Sequence, residues 1–189
     1  MNTAHGGDHR LVVAVFDDQK GVHRALEALV RDEFPLDSLS LLGRGESSGD
    51  DLLGVYYHGP GERIRAWAAQ GAFWGAIWGL LSGAAGMFVV PGLGALFAVG
   101  PIVNALAGAA TGAAVAGGAM AGAAALGQLA VALHRLGIPE QALAAYHDAI
   151  ERGHYLLILR VQGADEAERW AGVLRRHAPA SIEVHRLVA

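Results

Sequence analysis

WAAQGAFWGAIWGLLSGAAGMFVV, residues 67–90, has no charged side chain and repeats glycine at every fourth position, Gly71, Gly75, Gly79 and Gly83. An α-helix turns once per 3.6 residues, so that spacing puts all four on one narrow face. Phe73, Trp74, Ile77, Trp78 and Leu81 occupy the other faces. Glycine costs a helix up to ~1 kcal/mol per residue, so a row of four predicts that close helix packing offsets the loss, by the small-xxx-small approach of two backbones. About 20 apolar helical residues cross a hydrocarbon core of ~30 Å, so the stretch predicts a membrane-crossing helix.

Working outward, the chain stays free of Asp, Glu, Lys and Arg from Ala66 to His134. Pro91-Gly92-Leu93-Gly94 predicts a reversal, and Pro101 suits the start of a return helix. That helix repeats the device with Gly108 and Gly112, then Gly118 and Gly122, beside Ala105, Ala109, Ala116 and Ala119. His134-Arg135 followed by Gly137 predicts its last turn and cap. The expected unit is a Gly/Ala-rich helical hairpin over 66–136, packed on itself or on further copies and inserted in lipid. Arg63, Arg65 and Arg135 flank the hairpin while the 91–100 connector is uncharged, which places the flanking domain on the cytoplasmic side of the membrane. The alternative is a cytoplasmic homo-oligomer that buries the hairpin.

The flanks, 1–65 and 137–189, mirror each other. Leu11–Phe16, LVVAVF, predicts a buried strand ending at Asp17-Asp18. Val22, Ala25, Leu26, Leu29 and Val30 form one apolar helical stripe, capped by Asp17 or Asp18 and closed by Pro35. Leu36–Leu42 predicts a second strand, and 43–61 a loop with a short strand at Val55-Tyr56-Tyr57. After the hairpin, a helix from Pro139 to about Arg152 stops at Gly153, His154–Val161 is a strand, a helix opens at Asp165-Glu166, and Ile182–Val188 ends the pattern. The expected class is α+β, a ferredoxin-like α/β sandwich split by the inserted hairpin. Neither half has enough core alone, so the two should fold together, and should do so without the hairpin.

The chemistry offered is sparse. The 189 residues include 27 Gly and no Cys, which excludes disulfides, thiolate metal sites and cysteine nucleophiles. A formal net charge of −4, with Lys20 the one lysine, offers no footprint for nucleic acid. Residues 1–7 lack the basic and apolar regions of a secretion signal. Nine histidines are present; His5 and His9 share a polar terminus, and His134, His147, His154, His177 and His185 lack HExxH-like spacing, so ordinary surface roles are expected and no metal site. Gly43-Arg44-Gly45 is half of a dinucleotide loop, but Ser48 stands for the third glycine and Asp50-Asp51 would repel phosphate. Ser47, Ser48 and Ser82 have no recognisable His/Asp partners. Asn104 and Thr111 would line a pore or, more simply, bond between helices, and with Gln70 and Gln128 they are the few polar groups of the hairpin. No catalytic or cofactor-binding residue is expected.

The strand–helix–strand start at Leu11–Gly43, the glycine-row hairpin with its Val-Pro-Gly-Leu-Gly bend, and Leu136-Gly-Ile-Pro-Glu140 before a Tyr-containing helix together resemble bacterial general-stress or heat-induced proteins. The resemblance covers nearly the whole chain in layout and short phrases. It implies a stress-linked protein of the bacterial inner membrane, with no activity to carry over. Together with the glycine faces and the lack of a catalytic motif, the expected role is a non-enzymatic membrane protein that self-associates through those faces. A soluble homo-oligomeric scaffold and a small pore are the competing expectations.

Overall fold

A computed structural model describes residues 8–44, 85–90, 93–112 and 127–187. Six strands form one antiparallel sheet: β1 His9–Phe16, β2 Leu39–Arg44, β3 Ala85–Val90, β4 Gly94–Val99, β5 Tyr155–Gln162 and β6 Ser181–Arg186, in the order β3-β4-β2-β5-β1-β6. Among the described residues the helices are α1 Gln19–Arg31, α2 Ile102–Gly112, α3 Gln128–Arg135, α4 Glu140–Glu151 and α5 Gly163–Arg175, with a 3-10 turn at Leu36–Ser38. The class is α+β.

Helices cover both faces of the sheet. Strand residues alternate between the two sides, so β1 sends Leu11, Val13 and Val15 toward α2, α3 and α4, and Val12, Ala14 and Phe16 toward α1 and α5. Every one of these six side chains is buried. This is why LVVAVF shows no polar alternation, a pattern more usual in parallel sheets. On the α1/α5 side, Trp170 meets Phe34 edge-on at 4.9 Å between ring centroids. On the other side, Leu129 to Leu133 of α3 and Leu143, Tyr146 and Ile150 of α4 close the core over Leu156 and Ile158.

The flanking expectations hold closely. Asp18 caps α1, its Oδ1 accepting from the Gly21 N–H at 2.7 Å, and Val22, Ala25, Leu26 and Leu29 are buried as the stripe requires. Gly137 and Gly153 end α3 and α4 at φ +101° and +86°. At Gly137 a side chain is barred twice, because a Cβ there would also collide with Leu187. β2 begins later than expected, at Leu39, and runs on through Gly43 and Arg44, so those two residues are strand and not the start of a loop.

The hairpin is where the structure departs from expectation. Ala85–Val90, expected as the end of the first long helix, is strand β3, paired residue by residue with β4. The expected reversal shows in the antiparallel pairing and in the Leu93 N–H, which donates to the Val90 carbonyl at 3.1 Å, but it joins two strands. Pro101 does precede a helix, which spans 11 residues, and α3 spans 8. About 20 are needed to cross a bilayer, and among the described residues no helix is long and apolar enough to do so. The membrane and transmembrane reading is therefore overturned, and the fold gives the inner-membrane placement no support. Residues 45–84, with Val55–Tyr57 and the row Gly71, Gly75, Gly79 and Gly83, and residues 113–126, with Gly118 and Gly122, lie outside the described residues.

Candidate functional site

On β6, Glu183 and His185 are two residues apart and share a face. In register they lie beside Val13 and Leu11 of β1, on the side covered by α4. The helix reaches over them with Tyr146, which is fully buried. The Tyr146 hydroxyl is 2.7 Å from His185 Nε2 and 3.1 Å from Glu183 Oε2, and those two atoms are 3.3 Å apart. The rings of Tyr146 and His185 meet edge-on, 5.9 Å between centroids.

Counting protons fixes the direction of each bond. A phenol has one hydrogen, and an ionised carboxylate only accepts. If Tyr146 donated to His185, the Nε2 and Oε2 lone pairs would face each other at 3.3 Å. The consistent arrangement has Tyr146 donating to Glu183 and the His185 Nε2–H donating to the phenolic oxygen. Burial, then the Glu183 charge and hydrogen bond, push Tyr146 above the usual phenol range, so it stays a neutral donor. Burial also holds His185 below the usual imidazole range, with Glu183 pulling the other way. The cluster is therefore a set of mutually satisfied groups and not an activated nucleophile or base.

The residues singled out in the sequence have other places. Asp18 is the cap of α1, and Asp17 faces His154 Nδ1 at 3.5 Å. Gly43 lies where a Cβ would meet the rings of Tyr155 and Phe97 at 2.6 and 2.7 Å. Arg44 donates to the Glu151 carbonyl at 3.0 Å, at the C-terminal end of α4, a favourable place for a cation. Neither residue forms a phosphate cradle; Gly45, Ser47, Ser48, Asp50, Asp51 and Ser82 lie outside the described residues. Asn104 is exposed on α2. Gly108 is where α2 meets α3, and a Cβ there would sit 2.7 Å from Arg135 Nη1. Gly112 ends α2. His134 Nδ1 lies 3.1 Å from the Ile138 carbonyl.

No local spacing in the sequence links Tyr146 to Glu183 and His185. His185 is a site member and not the surface residue expected, its side chain only 11% exposed. One pattern pointed to it. In Ile182-Glu183-Val184-His185 the polar residues alternate with apolar ones, so a strand must place both on one face. What lay on that face required the fold.

Comparison with known protein families, with curated proteins and with solved structures finds no match to the chain.

Proposed function

We propose that this protein is a non-enzymatic, self-associating scaffold built on a ferredoxin-like sandwich. Leaving out β3 and β4, the strands run β2-β5-β1-β6, with α1 and α5 as the crossovers that follow β1 and β5; this order supports the ferredoxin-like reading. The β3–β4 hairpin extends that sheet beyond β2.

The observation that carries the scaffold reading is β3 itself. It is a terminal strand of sequence AGMFVV, without a charge or a proline, and Val89 is 81% exposed. Natural edge strands usually carry lysine, proline or inward charges that discourage pairing. β6 at the opposite edge has such residues, Glu183 and Arg186. An uncharged strand set antiparallel to its own copy brings no like charges together, so the partner we assign is a second copy of this chain, joined by strand addition. The internally satisfied Tyr146 cluster supports a binding role over catalysis. A stress-linked role rests on the resemblance of layout alone.

Light scattering on the purified protein over a range of concentrations tests the reading. The parent is expected to show a dimer or larger species, and Val89→Lys to shift the mass toward the monomer. A parent that is monomeric throughout removes the proposal. If Gly79→Leu changes the mass and Val89→Lys does not, association runs through the glycine row instead.

A further inference from the structure

The Tyr146–Glu183–His185 cluster sits at an edge of the sheet. β6 is an edge strand, paired only to β1 among the described strands. Its other face gives little, since Val184 is 37% exposed and Ile182 is only partly buried. Its polar tie to α4 is the pair of contacts made by the Tyr146 hydroxyl.

We propose that this cluster is a proton-operated latch, which holds β6 against α4 while His185 is neutral and releases the strand on acidification. The neutral Nε2–H imidazole completes the three-way arrangement with every proton placed. A second proton must go to Nδ1, which meets no protein acceptor among the described residues and is left to the little water that reaches a side chain 11% exposed. The new charge then stands beside Leu11 in register and Leu187 next but one along the chain, in a site 11% exposed. The charged and titratable groups around it are few. β6 supplies Glu183, which is 48% exposed, so water screens its attraction. Arg186 is turned to the opposite face, where it pairs with Asp8. β1 presents Leu11 and Val13 on this side, while Arg10 faces away, also to Asp8. α4 presents Tyr146, with Glu140, Asp148 and Glu151 on its exposed side and His147 beside them. The α3–α4 turn, packed on Leu187 at Gly137, carries His134, held at the Ile138 carbonyl. Glu183 compensates the buried charge only in part, so desolvation favours opening, because an open β6 returns the imidazolium to water. Release would uncover the backbone of β1 from Arg10 to Val15.

Amide hydrogen exchange resolves this locally. Between pH 7.5 and 5.5, corrected for intrinsic rates, protection of the β6 amides bonded to β1 is expected to fall, by up to about tenfold, the limit for one freed imidazole of ordinary pKa about 6.5 gaining its proton over that range. The β1–β5 amides should keep theirs. His185→Gln, which keeps a donor and cannot titrate, should make β6 protection independent of pH, whereas His177→Gln should leave the loss intact. Tyr146→Phe should lower β6 protection at both pH values. The latch is refuted if β6 protection does not change with pH, or if His185→Gln shows the parent's loss. Should His185→Gln fail to fold, the imidazole resonances of the parent decide: a His185 midpoint at or above the free-imidazole value is incompatible with the latch.

Discussion

Ser40 shows how much rests on single atoms here. It is buried in the middle of the sheet, and its hydroxyl oxygen accepts from the Ile102 N–H at 3.2 Å. The first turn of a helix has amide groups with no partner of their own, and α2 has one of them met by a strand residue 62 positions earlier. Ser40→Ala leaves that donor unsatisfied and is expected to cost about 1–2 kcal/mol, read as a lowered denaturant midpoint. Next to this bond, Gly100 stands at φ +84°, and a Cβ there would collide with the Leu39 carbonyl. Gly100→Ala should therefore be the worse of the two. His177, after α5, titrates in a different setting from His185. Burial first, then Arg24, Arg31 and Arg176, lower its pKa, against Asp32. A histidine whose folded pKa is depressed binds its proton more readily when the chain is unfolded. Its contribution is intact above the ordinary value of about 6.5 and declines as pH falls through it. Thermal stability should drop between pH 7.5 and 5.5, and His177→Gln should flatten part of that drop; a variant with the parent's slope would show that His177 is not responsible.

Among the elements, α1 was fully legible, because its cap, its stripe and its end are local. Asp18→Ala should cost about 1 kcal/mol, the usual worth of an N-cap, measured by chemical denaturation, with Asp17→Ala smaller. β3 was misread for an identifiable reason. The glycine period runs 71, 75, 79, 83, and the next position is Met87. The period thus stops before the apolar run does, and Val89-Val90 ahead of Pro91 is β-branched, as strands prefer. An uninterrupted apolar segment hides such a boundary, because without polar residues a buried strand and a buried helix look alike. The same double burial that removed alternation from β1 left its length and its Val content as the clues. The Tyr146 cluster was the least legible, since β6 and α4 meet across 37 and 39 residues and no local spacing records that.

At the scale of the whole molecule, residues expected to form a separate insertion are part of the common core. Leu96, Ala98, Ile102, Leu106 and Leu129–Leu133 share one cluster with Leu11, Leu42 and Leu156. Deleting Ala66–His134 and joining the ends would leave α4 as the one described helix over that side of the sheet, so the shortened chain is expected to lose its cooperative unfolding transition. A sharp transition in that variant would mean that β1, β2, β5 and β6 with α1, α4 and α5 suffice. The strand order also has a cost in time. Phe16 pairs with Tyr155 and Val15 with Ser181, so during synthesis LVVAVF emerges with none of its neighbours yet made. At ordinary elongation rates it waits roughly ten seconds or more. A six-residue run of high β-propensity and no charge is then free to pair with other nascent chains. Charged residues stand close to both its ends, Asp8 and Arg10 before Leu11 and Asp17-Asp18 after Phe16, the placing expected of gatekeepers against aggregation, and for the acids a duty separate from capping α1. Chains halted before Tyr155 should stay dispersed with these acids in place and precipitate when all three become alanine.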